Sequence, residues 1–234
     1  TEKAAQADQK YIKELKEKNK VLHENIEQTQ SSFETVKNET TTVDQLVDRL
    51  KKLNSVQNKT AAQKAEIKRI SEQLKDKIPQ IAAAYDDETG AIKLTNNQMD
   101  RLVKNYKRTA LAAAAQSQLT EAAKEALEAQ ERLNDAKVKA EECDNKNTKA
   151  QEKYNKALKK AQELSKSEGA VGATGAVSNE MIKAQDAVTK AARDLKATNK
   201  SYEDAKKTVK AYENDLNKAN EMMDTANNFI KKYS

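Results

Sequence analysis

Residues that make turns are scarce in this chain. Its 234 positions hold four glycines and one proline, where average usage would supply about 16 and 12. Tryptophan is absent and aromatics make up 4%. A sheet-rich fold, which needs glycine and proline turns and β-branched strands, is excluded on these counts. One cysteine, Cys143, leaves no intrachain disulfide framework, and one histidine, His23, leaves no His-rich zinc site. No run of about 18 apolar residues is present to span a membrane. No signal-peptide pattern is visible, and the start at Thr1 reads as that of an excised piece. No glycine-rich phosphate loop exists, because Gly90 stands alone and Gly169, Gly172 and Gly175 follow no strand.

What is present is charge and alanine. Charged residues reach 34%, hydrophobics 37%, and the net charge is only +6. Mixed signs repel weakly, so composition leaves long helices or disorder, and charge alone does not decide between them.

The few breakers divide the chain. Gly169, Gly172 and Gly175 mark a flexible turn, Asp86-Asp87-Glu88-Thr89-Gly90 marks an acidic one, and Pro79 ends a helix. Thr-x-x-Gln capping boxes at Thr42/Gln45, Thr60/Gln63 and Thr95/Gln98 mark helix starts, as does Ser178. The expected helices cover 2–38, 43–54, 61–78, 96–166 and 179–232, with an extended piece near 91–94. The corresponding divisions are an N-terminal coiled-coil helix at 1–40 and short helices with the acidic turn at 41–95. A long helix at 96–166, a Gly-rich turn at 167–178 and a returning helix at 179–234 follow.

Both long helices carry seams with 3–4 spacing. The last runs Met181, Ala184, Val188, Ala191, Leu195, Thr198, Tyr202, Ala205, Val209, Tyr212, Leu216, Ala219, Met223, Ala226, Ile230. The long helix runs through Ala115, Leu119, Ala122, Ala129, Leu133, Ala136, Cys143, Asn147, Ala150 and Tyr154. Folded antiparallel about Gly172, partners have numbers adding to about 345 and large side chains meet small ones. Cys143 then faces Tyr202, and Asn147 faces Thr198 in a polar layer that fixes register. The expected fold is all-α: a long antiparallel coiled-coil hairpin with a small helical region at its open end. The same seams could pair between copies, so self-association stays open. The first helix has its own seam, Ile12, Leu15, Asn19, Leu22, Ile26, Thr29, Phe33, Val36. The candidate partner is the start of the long helix, where Leu102, Val103, Tyr106 and Leu111 are otherwise unmatched.

No residue pattern carries catalysis or a cofactor. His23 reads as a surface helix residue and Cys143 as a small buried hydrophobe without a base. The acidic turn lacks the alternating oxygens of a calcium loop. Arg101, Lys104, Lys107 and Arg108 cluster beside Tyr106, but no base-reading motif accompanies them, so nucleic-acid contact is not expected.

The stretches Leu46-Val-Asp-Arg-Leu50, Asn58-Lys-Thr-Ala-Ala-Gln-Lys-Ala-Glu-Ile67 and Leu74-Lys-Asp-Lys-Ile-Pro79 carry a further signal. So do Ala84-Tyr-Asp-Asp-Glu-Thr-Gly-Ala-Ile-Lys-Leu94 and Thr95-Asn-Asn-Gln98. Together, over 42–110, they resemble tail tape-measure proteins of long-tailed bacteriophages. The resemblance implies a ruler for tail length, tail-tube and tail-assembly chaperone proteins as partners, and a place in the virion tail after assembly in the host cytoplasm. It implies no active site and no cofactor. The residues alone leave open a coiled-coil stalk or scaffold of a bacterial surface protein.

Overall fold

The computed structural model describes residues 2–167 and 179–233. The fold is all-α, with a helical hairpin of two long helices. The helices are α1 (Glu2–Asn54), α2 (Ala61–Leu74), α3 (Pro79–Ala83), α4 (Asn96–Ser167) and α5 (Asn179–Tyr233). Two minimal strands, β1 (Tyr85–Asp86) and β2 (Ala91–Ile92), pair antiparallel with Tyr85 opposite Ile92. The expected hairpin turn, with Gly172 and the cap at Ser178, lies outside the described residues. The chain forms two compact units.

The first unit comprises Thr1–Asn25 and Glu125–Lys218. Three helical segments, from α1, α4 and α5, meet in it. Ile12 of α1 shares a buried cluster with Cys143 of α4 and Ala205 of α5. The expectation had α1 on the start of α4. Its later turns do meet that start, where Val43, Val47 and Leu50 share a core with Val103, but its first turns pack on the middle of both long helices. The physical reason is volume: the α4 seam is mostly alanine, and two such helices leave apolar surface that a third must cover.

That third helix also rotates the seam of α5. From 198 to 215 its buried positions are Thr198, Ser201, Ala205, Thr208, Tyr212 and Asp215. Tyr202, Val209 and Leu216, expected as the large half of the seam, are only half-buried. Ser201, Thr208 and Asp215 take the inner places because they face α1.

The second unit comprises Ile26–Lys124 and Ala219–Ser234. Its core joins Val43, Val47 and Leu50 of α1 to Ile67, Ile70 and Leu74 of α2, with Ile81, Ile92, Met99 and Val103. Phe33 packs with Ala115 and Ala226, and meets the Phe229 ring edge-on at 5.0 Å.

Local rules explain most helix ends and two corrections. The boxes at Thr60/Gln63 and Thr95/Gln98 close: each Thr hydroxyl accepts the Gln backbone N–H, and each Gln Oε1 accepts the Thr N–H. The box at Thr42/Gln45 does not form. Thr42 instead donates to the Asn38 carbonyl at 3.1 Å, and Thr40 and Thr41 to that of Lys37. So α1 runs unbroken where a boundary was expected near residue 40. Its inward positions keep 3–4 spacing through Phe33, Val36, Thr40, Val43, Val47 and Leu50, and burial of that continuous stripe outweighs the local cap. The second correction concerns Pro79. The helix expected to reach 78 ends at Leu74, and Pro79 stands at the start of α3. Proline lacks the N–H that a first helical position leaves unsatisfied, so it begins a turn of helix there.

Candidate functional site: polar layers in the three-helix unit

The first unit carries polar contacts where a bundle of this kind would bury apolar ones. Counting back from Ile12 in 3–4 steps reaches Asp8 and Ala5, and counting forward reaches Leu15, Asn19 and Leu22. Asp8 therefore points inward and is 3% exposed. On α4, Lys139 and Lys146 are one heptad apart and share the flank that faces α1. Lys139 Nζ lies 2.7 Å from Asp8 Oδ1, and Lys146 Nζ donates to both carboxylate oxygens at 2.8 Å. Lys139 also reaches Glu142 at 3.0 Å and lies over the Tyr11 ring.

Burial acts to raise the Asp8 carboxyl. Hydrogen bonds and charge from Lys139 and Lys146 outweigh it and hold the group below the usual aspartate range. Burial likewise acts to lower Lys139, but Asp8 and Glu142 outweigh it and the ammonium is held above its ordinary value. Cys143 lies on the next turn, buried among Ile12 and Ala205. Burial, then the Asp8 charge, pushes its thiol up. A thiol raised in this way is poorly nucleophilic.

A second polar layer centres on Asp215 of α5. Asn19 Nδ2 donates to one carboxylate oxygen at 2.7 Å, and His23 Nδ1 lies 2.8 Å from the other. His23 was expected to be a plain surface residue; its ring is half exposed, but it pairs with a buried carboxylate. Between the layers, the Tyr212 hydroxyl donates to the Leu15 carbonyl at 2.8 Å, and Gln9 Nε2 donates to Ser201 at 3.2 Å. Burial pushes the Tyr212 phenol up to about 12.

The third layer is Asn147 with Thr198. Thr198 Oγ1 lies 3.1 Å from Asn147 Oδ1 and from the Asp194 and Leu195 carbonyls. Asn147 Nδ2 is 3.4 Å from Asn199 Oδ1. Tyr202 packs against the Cys143 cluster from its half-exposed edge. The structure thus brings together Cys143 with Tyr202 and Asn147 with Thr198. It places Pro79 in the other unit, and Gly172 lies outside the described residues. The heptad reading began at Ile12 and so missed Asp8; Asp215 was missed because Leu216 looked like the seam residue.

In the second unit the acidic turn is internally bonded. Asp86 Oδ1 accepts the Glu88 and Thr89 N–H groups, and the carboxylate pairs with Lys93. Those partners, Lys93 first, hold Asp86 well below the usual carboxylate range. Asn54 bonds both backbone groups of Ile92 and so ties α1 to β2. Members of the basic cluster are engaged with protein groups: Lys107 pairs with Asp44 at 2.6 Å, and Arg108 Nε donates to the Tyr233 carbonyl at 2.9 Å.

Among the described residues no three His, Cys, Asp or Glu side chains could together hold a metal ion. Among them, too, no helix is long and apolar enough to cross a membrane. No protein-family model matches the chain, and neither a curated protein nor a solved structure matches it.

Proposed function

We propose that this chain is a structural segment of a bacteriophage tail tape-measure protein, acting in tail length determination and tail assembly. The observation that carries the reading is where the resembling residues lie. Leu50, Ile67, Leu74 and Ile78, drawn from three stretches of the resemblance, are all buried in one core. The Asp86–Gly90 turn between Ala84 and Leu94 is closed by its own hydrogen bonds. The stretches that resemble the family thus form one folded piece. A mechanical role asks for nothing more: helices that pack through small seams, with charged outer faces. Its partners on this reading are tail-tube and chaperone proteins, and its place is the virion tail.

A helix adds about 1.5 Å of length per residue, so a segment that folds back adds roughly half or less of its extended length. The test alters the gene in its native genome and reads tail length by electron microscopy. In-frame removal of residues 2–233 is expected to shorten tails, and duplication to lengthen them. Tails of unchanged length in both arms overturn the reading, as does absence of the product from assembling tails. The duplication arm covers the case in which removal blocks assembly.

A further inference from the structure

Helix α1 is held differently along its length. Within residues 2–25, the buried apolar side chains are Ala5, Ile12, Leu15 and Leu22, and Asp8 and Asn19 occupy inward positions between them. Within 26–54, Ile26, Phe33, Val43, Val47, Leu50 and Leu53 are buried, with Thr40 as the buried polar member and no buried charge. The surface that the first segment faces is mixed. It presents Ser201, Thr208 and Asp215 beside Ala205 and Tyr212 on α5, and Lys139 and Lys146 beside Cys143 on α4.

Buried charge pairs roughly break even against apolar contacts of the same volume, because desolvation offsets attraction. They set register while contributing little net stability. Segments with few buried apolar contacts open below the free energy of global unfolding. Most helical stability in proteins comes from tertiary packing, so a helical segment that loses its contacts opens as a piece.

We propose that residues 2–25 of α1 form a latch on the α4–α5 pair of this unit, closed by Asp8 between Lys139 and Lys146 and by Asp215 against Asn19 and His23. The latch opens as a piece while α4 and α5 stay paired through Asn147–Thr198 and the alanine seam. Opening uncovers the strip Ser201, Ala205, Thr208 and Tyr212 on α5. It also uncovers Cys143, which sits under Ile12. As the chain's one cysteine, it reports the event. The inference rests on the geometry of this unit and not on the ruler reading.

The test is the rate at which a chromogenic disulfide reagent labels Cys143 in the full chain, followed against urea. The expected result is labelling through an opening whose urea dependence is a fraction of that for global unfolding. Asp8→Asn leaves two lysines without their carboxylate and is expected to speed labelling about a hundredfold. Labelling that follows global unfolding, with the same urea slope, overturns the latch; so does an unchanged rate in Asp8→Asn. Should that variant fail to fold, Lys146→Gln removes the more exposed clasp and is expected to speed labelling about tenfold. Hydrogen exchange on the wild-type chain is a second readout. Amides of 5–22 should exchange as a set ahead of those of 129–150, and equal protection of the two overturns the proposal.

Discussion

The Tyr212 hydroxyl of α5 donates to the backbone carbonyl of Leu15 in α1 at 2.8 Å. A fully buried phenol thus spends its one polar atom on a neighbouring helix. Pairing by numbers that add to about 345 sets it against Leu133, the one layer of that pattern with two large members. The outer end of Tyr212 reaches α1.

Tyr212→Phe should lower stability by about 1 kcal/mol, because the carbonyl still accepts its own helix bond and only one hydrogen bond is lost. The wild type makes a pH prediction as well. Burial raises this phenol from 10.0 to about 12, so the neutral form is favoured in the folded state. The resulting stability is fully present below pH 10 and is lost as pH rises through about 12. Tyrosinate absorbance should show Tyr212 ionising late, together with a fall in helicity by circular dichroism. Titration of all seven tyrosines in one step near 10 would contradict this.

Asn147→Leu should leave the Thr198 hydroxyl satisfied, since it is already 3.1 Å from two carbonyls of its own helix. Stability is expected to rise by up to about 1 kcal/mol while register becomes less well specified. Urea melts read the first effect. Light scattering reads the second, as associated species absent from the wild type.

Tyr202→Cys should form a disulfide with Cys143 inside one chain on oxidation at high dilution, because Tyr202 packs on the Cys143 cluster. Mass spectrometry of the monomer checks it. Crosslinked dimers alone would mean that α4 and α5 pair between chains.

Gly90→Ala should cost about 1–2 kcal/mol. Gly90 has φ of +65°, and an added Cβ would stand 2.5 Å from Lys64 Cγ and 2.8 Å from Lys64 Cβ. The Lys64 end can move; the backbone angle cannot relax without opening the β1–β2 turn. A loss well below 1 kcal/mol in the thermal melt would mean that the turn carries little of the core's stability.

Sequence by itself determined the class, the long helices and most of their ends. Glycine and proline are so few that interruption is possible at few places, and a 3–4 stripe of apolar residues commits the rest to packed helices. It also placed Asn147 with Thr198, because a polar residue in an alanine seam must meet another or stay unsatisfied. Tertiary structure decided what depends on a third partner. The Thr42 box was a sound local signal, but Thr40, Val43 and Val47 continue a stripe whose burial is worth more than one cap. Asp8 and Asp215 lie outside the seams legible in the sequence, and Asn19 stands in the first helix's seam without an evident partner. The two aspartates become buried clasps only once α1 lies on α4 and α5, since a charge can be buried only where its partner arrives from another helix.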